Sequence, residues 1–213
     1  MKKILIYVIA TMFMAVSAYA EKRVGVSLAY TMFESAGTEE TKSSAEKNST
    51  TVEEDVLVPA IFVEFANDRG AALGIDYTPA DSELGSGTGD DDDAETSGAN
   101  KASAELTGHF TLYGLVPMGS GGAYLKAGVA HASIDTTENL ATGTTYGNAD
   151  VNGIIVGLGF ERETNDGFLR MEATYSDYED VKFRGALDSD SVRNVVDADV
   201  DALAFRISVG RAF

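Results

Sequence analysis

The chain has 213 residues, with 34 Asp and Glu against 16 Lys and Arg, and no Cys. Such acidity excludes nucleic acid as a partner and argues against attraction to anionic headgroups, and the lack of Cys excludes a disulfide scaffold, thiolate metal sites and a Cys nucleophile. An apolar content of 44% with mean hydropathy −0.06 suits a soluble domain and equally a membrane barrel, in which only alternate residues face lipid.

At the N-terminus Lys2 and Lys3 precede an apolar stretch over 4–16, followed by Ala18-Tyr19-Ala20 before Glu21. A positive n-region, a short h-region and an A-x-A site predict a secretory signal peptide over 1–20, cleaved after Ala20. The rest, 21–213, is one domain with 14 bases, 34 acids and a net charge of −20. No later apolar run approaches the ~20 residues of a spanning helix. Period-two alternation predicts eight strands instead. The first, over 23–33, has Val24, Val26, Leu28, Tyr30 and Met32 on one face and Gly25, Ser27, Ala29 and Thr31 on the other. The second, over 56–66, turns Leu57, Pro59, Ile61, Val63 and Phe65 outward, and the third, over 71–79, turns Leu73, Ile75 and Tyr77 outward. The fourth, over 104–116, has Leu106, Phe110, Leu112 and Val116 outward and Glu105, Thr107, His109, Thr111 and Tyr113 opposite. In the fifth, over 123–133, Leu125, Ala127 and Val129 point outward, and in the sixth, over 152–162, Ile154, Val156, Leu158 and Phe160 do so. The seventh, over 168–178, places Leu169, Met171, Ala173 and Tyr175 outward. The eighth, over 200–213, carries large apolar residues at Leu203, Phe205, Ile207, Val209 and Phe213.

The connections alternate. Residues 66–70, 117–122 and 163–167 are short and rich in turn formers, whereas 34–55, 80–103, 134–151 and 179–199 are long and polar. Short turns in rotation with long loops is the pattern of outer-membrane barrels. The expected fold is an all-β, eight-stranded, antiparallel, up-and-down transmembrane β-barrel. A strand ending in Phe205, Ile207, Val209 and Phe213 resembles the C-terminal strand of that class, and the architecture resembles the small OmpA/OmpX-like barrels and opacity-type surface proteins. The resemblance implies that these four residues form a signal for the barrel-assembly machinery. Arg211 stands where the family usually has an apolar or aromatic residue, at a rim where a long cation reaches headgroups. The implied location is the outer membrane of a Gram-negative bacterium, among its lipids and lipopolysaccharide.

An eight-stranded barrel is just wide enough for side chains to fill. Its inward faces are expected to carry Glu64, Asp76, Glu105, Lys126, Glu161, Arg170, Glu172 and Arg206 as a structural charge network. Across the 163–168 hairpin, facing residues must share a side. Setting Glu161 opposite Arg170 and Phe160 opposite Met171 is attractive, whereas the next register sets Glu161 against Glu172. Asp90, Asp91, Asp92 and Asp93 fall in the second long loop; a calcium loop started at Asp93 has Ala104 at its twelfth position, which has no ligand. The run is expected to be a solvated acidic loop. His109 is expected inside the fourth strand and His131 near the outer end of the fifth, with no acid or serine at a spacing that marks a triad. No catalytic residue, metal site or cofactor is expected. The expected role is structural or interactive: membrane integrity, adhesion or masking, through four acidic loops that would meet any extracellular ligand. The alternatives are a narrow porin-like channel and, third, a lipid-modifying enzyme.

Overall fold

The computed structural model describes residues 21–41, 46–91, 98–140, 145–185 and 195–213. The signal-peptide expectation and Asp92 and Asp93 lie outside these residues. The elements are β1 Glu21–Thr41, β2 Glu46–Ala66, β3 Ala72–Tyr77, β4 Ser82–Asp91, β5 Gly98–Pro117, β6 Ala123–Asn139, β7 Ala149–Thr164, β8 Gly167–Tyr178, β9 Val181–Arg184 and β10 Val195–Ala212. Among the described residues there is no helix.

Eight of these strands close a ring. Antiparallel ladders join β1 to β2, β2 to β3, β3 to β5, β5 to β6, β6 to β7, β7 to β8 and β8 to β10, and β10 returns to β1 over Arg23↔Ala212 to Glu40↔Val195. β4 and β9 continue two staves, those of β3 and β8, after short breaks in the strand at 78–81 and 179–180. The eight-stranded expectation therefore stands. The expected hairpin register stands too, with Phe160↔Met171 and Glu161↔Arg170 directly paired.

Around the ring, one face of each strand forms an apolar belt turned to the outside. Val24, Val26, Leu28, Leu57, Ile61, Val63, Ile75, Leu125, Ile154, Leu158, Met171, Phe205, Ile207 and Val209 are all exposed. Leu73 shares that face but is covered, 6% exposed, between its paired neighbours Phe65 and Gly114. From Val24 to Met32 the belt runs about 27 Å along β1 at ~3.4 Å per residue, on the scale of a membrane's apolar thickness. A wall apolar outside and charged inside is stable only in lipid, so the ring is a membrane-spanning barrel.

Among the described residues, the four segments expected as long loops are largely strand. β1 and β2 pair as far as Thr41↔Glu46, and β5 and β6 as far as Lys101↔Asn139. In these extensions the pattern inverts. Phe33, Leu106, Ile134, Val151, Tyr178 and Val200 are buried inside, while Glu34, Glu53, Asp55, Asp150 and Asp177 are exposed outside. Below the inversion the barrel suits lipid, and above it the barrel suits water.

In β5 the inversion is made by a bulge. Thr107 pairs with Ser133 but Phe110 with His131, so β5 spends one extra residue, and Gly108 takes φ 59° there. One inserted residue reverses every side chain beyond it. This corrects the reading of the fourth strand. Leu106 is inside at 3% exposure and Glu105 is outside and exposed, so Glu105 is not a lumen residue. Asp90 and Asp91 are likewise not in a loop; they end β4, paired with Ala99 and Gly98.

The extension is divided. Among the described residues no ladder joins β2 to β4 or β7 to β9; β4 pairs with β5 and β9 with β10. Two sheets, β9–β10–β1–β2 and β4–β5–β6–β7, are thus held together by side chains. Phe33, Phe183, Val200 and Ala202 from the first meet Leu84, Leu106, Ala132, Ile134 and Val151 from the second in one apolar core.

Candidate functional site: the filled lumen and the acidic end

The lumen holds two linked charge clusters. In the first, Arg170 from β8 donates Nη1 and Nη2 to Glu64 Oε1 and Oε2 at 2.6 and 2.9 Å, a two-pronged pairing that only the planar guanidinium makes. Its Nη2 and Nε also donate to Glu161 Oε2 at 2.5 and 3.1 Å. Arg23 from β1 donates to the other oxygen of Glu161 at 3.0 Å and to Glu21 at 2.7 Å. Tyr113 donates its hydroxyl to Glu64 at 2.6 Å. The Arg170 guanidinium stacks 4.8 Å from the Phe168 ring centre. Bulk is accommodated by small residues opposite: a Cβ on Gly159 would collide with the Tyr124 ring, and one on Gly74 with the Tyr113 ring.

The second cluster joins Asp76, Arg206, Lys126 and Glu172. Arg206 donates to Asp76 Oδ2 at 2.9 Å. Lys126 Nζ lies 3.7 Å from Asp76 and 3.4 Å from Glu172, 4.0 Å over the Tyr113 ring. The lumen thus contains four carboxylates (Glu64, Asp76, Glu161, Glu172) and four cations (Arg23, Lys126, Arg170, Arg206), a neutral set. Glu64 is 0% exposed, Asp76 1%, Tyr113 1% and Arg170 2%, so this level of the barrel is filled from wall to wall.

Above it sits His109, part-buried, with Nδ1 3.3 Å from the Thr78 hydroxyl and Nε2 3.0 Å from the Tyr178 hydroxyl. Both ring nitrogens are engaged by neutral hydroxyls, and the apolar core of the extension lies beyond. His131 is on the outer face, 3.0 Å from Asn152 Oδ1 and packed on the Phe110 ring.

Of the residues expected in the lumen, the structure brings together Glu64, Asp76, Lys126, Glu161, Arg170, Glu172 and Arg206, and places Glu105 elsewhere. It adds Arg23 to the network, and Tyr113, expected on the inward face, joins it through Glu64. Arg23 shares the parity of Gly25 and Ser27 at the start of the first strand, and that signal was sufficient to find it. On β10, Phe205, Ile207 and Val209 face outward and are exposed, and Phe213, just past its end, is exposed too.

Charge is distributed along the barrel axis. At the short-turn end Glu21, Asp68, Glu163 and Asp166 balance Lys22, Arg69, Arg162 and Arg211. The lumen is neutral, so among the described residues the acidic excess lies at the long-hairpin end. There the outward carboxylates of Glu53, Glu34, Asp201 and Asp177 form a row across β2, β1, β10 and β8, each directly opposite the next.

Neither a protein-family model nor a curated protein matches the chain. Among solved structures it is similar to the outer-membrane protease OmpT from Escherichia coli, with 9% identity, TM-score 0.48, and 91% of this chain and 97% of that one covered. It is similar to neisserial surface protein A, with 11% identity, TM-score 0.40, and 85% and 96% covered. It is also similar to the attachment invasion locus protein Ail of Yersinia pestis, with 9% identity, TM-score 0.38, and 87% and 99% covered, in a complex with the heparin analogue sucrose octasulfate.

Proposed function

We propose that the chain is an integral outer-membrane barrel with a sealed lumen, acting as a surface protein through its acidic, water-suited extracellular end. The observation that carries this is the filling of the lumen by a neutral, largely buried ion-pair network with an apolar core above it. A conducting pore needs a continuous hydrated path; here Arg170 and Glu64 are buried against each other across the lumen. With the interior occupied, contact with the surroundings is left to the outer faces and the extension. The role is then structural or interactive: integrity of the membrane, adhesion, or masking of the surface. In this reading the outward row Phe205, Ile207, Val209 and Phe213 serves recognition during barrel assembly, and lipid and lipopolysaccharide surround the belt. Single-channel recording in planar bilayers tests the proposal. The expected result is a flat baseline at all voltages, with insertion proved by a gel shift between unheated and boiled samples. Discrete, reproducible openings would replace this reading with that of a channel.

A further inference from the structure

The acidity of the chain argued against anionic headgroups, but the structure moves that acidity to one end. The other end carries a patch of the opposite sign. Lys22 on β1, Arg162 on β7 and Arg211 on β10 are exposed and lie one step beyond the apolar belt, next in outward parity after Val24, Phe160 and Val209. The strands are contiguous around the ring. Val24 pairs with Arg211, and β8 lies between β10 and β7, with Leu169 facing both Val209 and Arg162. The three cations therefore lie along one stretch of rim across β7, β8, β10 and β1, just beyond the apolar belt. Among the described residues no side-chain carboxylate lies within 4.0 Å of their charged nitrogens, and the backbone of Lys22 pairs with that of Phe213. The neighbouring acids are otherwise directed: Glu21 is taken by Arg23, Glu161 turns inward to Arg23 and Arg170, and Glu163 shares its parity. Among the described residues the three cations thus lack an ion-pair partner, and Arg211 lies 5.7 Å from the centre of the Phe213 ring.

We propose that Lys22, Arg162 and Arg211 form a basic rim that binds the phosphates of anionic phospholipids in the leaflet at the short-turn end. Arg162 and Arg211 supply donors in fixed forks, which suit phosphate oxygens, while Leu169, Val209 and Val24 contact the acyl chains above. The acidic row Glu53, Glu34, Asp201 and Asp177 stands over overlapping staves at the opposite rim, so the same arc of wall attracts anionic lipid on one side and repels it on the other. The site thereby favours one orientation of the barrel in an asymmetric bilayer. This inference rests on the membrane-barrel reading above.

The test uses the full mature chain in vesicles of phosphatidylcholine doped with a spin-labelled phosphatidylglycerol or a spin-labelled phosphatidylcholine, read as the protein-immobilised fraction of each. The wild-type chain should select the anionic lipid, by up to about fivefold per engaged cation at low salt. The selectivity should fall several-fold in high salt. The triple variant Lys22→Gln, Arg162→Gln, Arg211→Gln should lose the preference, whereas Lys47→Gln with Arg69→Gln should keep it. Equal association of the two lipids with the wild-type chain overturns the site, and this result needs no variant to fold. Preference retained by the triple variant overturns the assignment to these residues. Failure of the wild-type chain to enter either bilayer refutes the barrel reading itself, together with the site built on it.

Discussion

Replacing Arg170 should be the most costly single change in the lumen. Its loss leaves Glu64, 0% exposed, with one remaining donor, the Tyr113 hydroxyl at 2.6 Å. Stranding a buried carboxylate in this way costs ~3–5 kcal/mol, and losing the guanidinium stacked on Phe168 adds about 0.5–2 kcal/mol. The sum is a large part of the roughly 5–15 kcal/mol that holds a domain folded. Arg170→Met should therefore fold poorly, while Arg170→Met with Glu64→Gln, which removes both charges and keeps an acceptor for Tyr113, should recover most of the loss. The corresponding cycle with Glu161 should show a weaker coupling, because the Glu161 side chain is 16% exposed and keeps Arg23 as a partner. The assay is urea unfolding in detergent micelles, read from the fraction of unheated chain that runs as the compact gel band. The reasoning fails if the Arg170–Glu64 coupling is under ~1 kcal/mol, as for exposed pairs, or if the Glu161 cycle gives the larger value.

Leu106→Ala should cost ~2–5 kcal/mol by leaving a cavity in the apolar core, whereas Glu105→Gln should be nearly neutral; urea midpoints of the two variants would reverse in order if the bulge at Gly108 were absent. Gly108→Ala meets no neighbour within 4 Å and should lose only the ~1–2 kcal/mol of a left-handed residue, while deletion of Gly108 should abolish the compact gel band by reversing the upper part of β5. Glu34→Gln should raise the thermal stability of the extension at low salt and change little at high salt, because Glu34 faces Glu53 and Asp201 directly. Deleting residues 85–100 removes most of β4 together with its ladder to β5, so proteolysis should reach Leu106 and its surroundings while the membrane ring keeps its heat-modifiable band.

The staves and their inward faces were legible because a period of two is preserved through the belt: Val24 to Met32, Ile154 to Phe160 and Leu169 to Tyr175 each run without a break. The same regularity settled the pairing of Glu161 with Arg170. The extensions were not legible, because there the meaning of the alternation reverses. In the fifth strand apolar residues pass from Leu125, Ala127 and Val129 to Ala130, Ala132 and Ile134, and in the sixth from Ile154 back to Val151, so the pattern breaks where the solvent changes. Flanked by Glu and Asp, such a break reads as the start of a loop. Glu105 was misplaced for a different reason. The bulge at Gly108 leaves Leu106, Phe110 and Leu112 all at even positions, so no break in parity announces it. Arg170 was visible as an inward cation, but its main partner Glu64 is 106 positions away, and only the closure of the ring brings them together.

The inversion of the wall from lipid-suited to water-suited is the centre of this account, and a chain without Trp allows a direct measurement. Single Trp residues would be placed on the outer face at Ile207, Leu203 and Asp199 of β10 and at Ile61 and Thr51 of β2, and their fluorescence read in vesicles of brominated phospholipid. Strong quenching at 207, 203 and 61, with an abrupt loss at 199 and 51, is the predicted result. Equal quenching at all five positions would place the extension in the bilayer, and quenching at none would remove the barrel from the membrane.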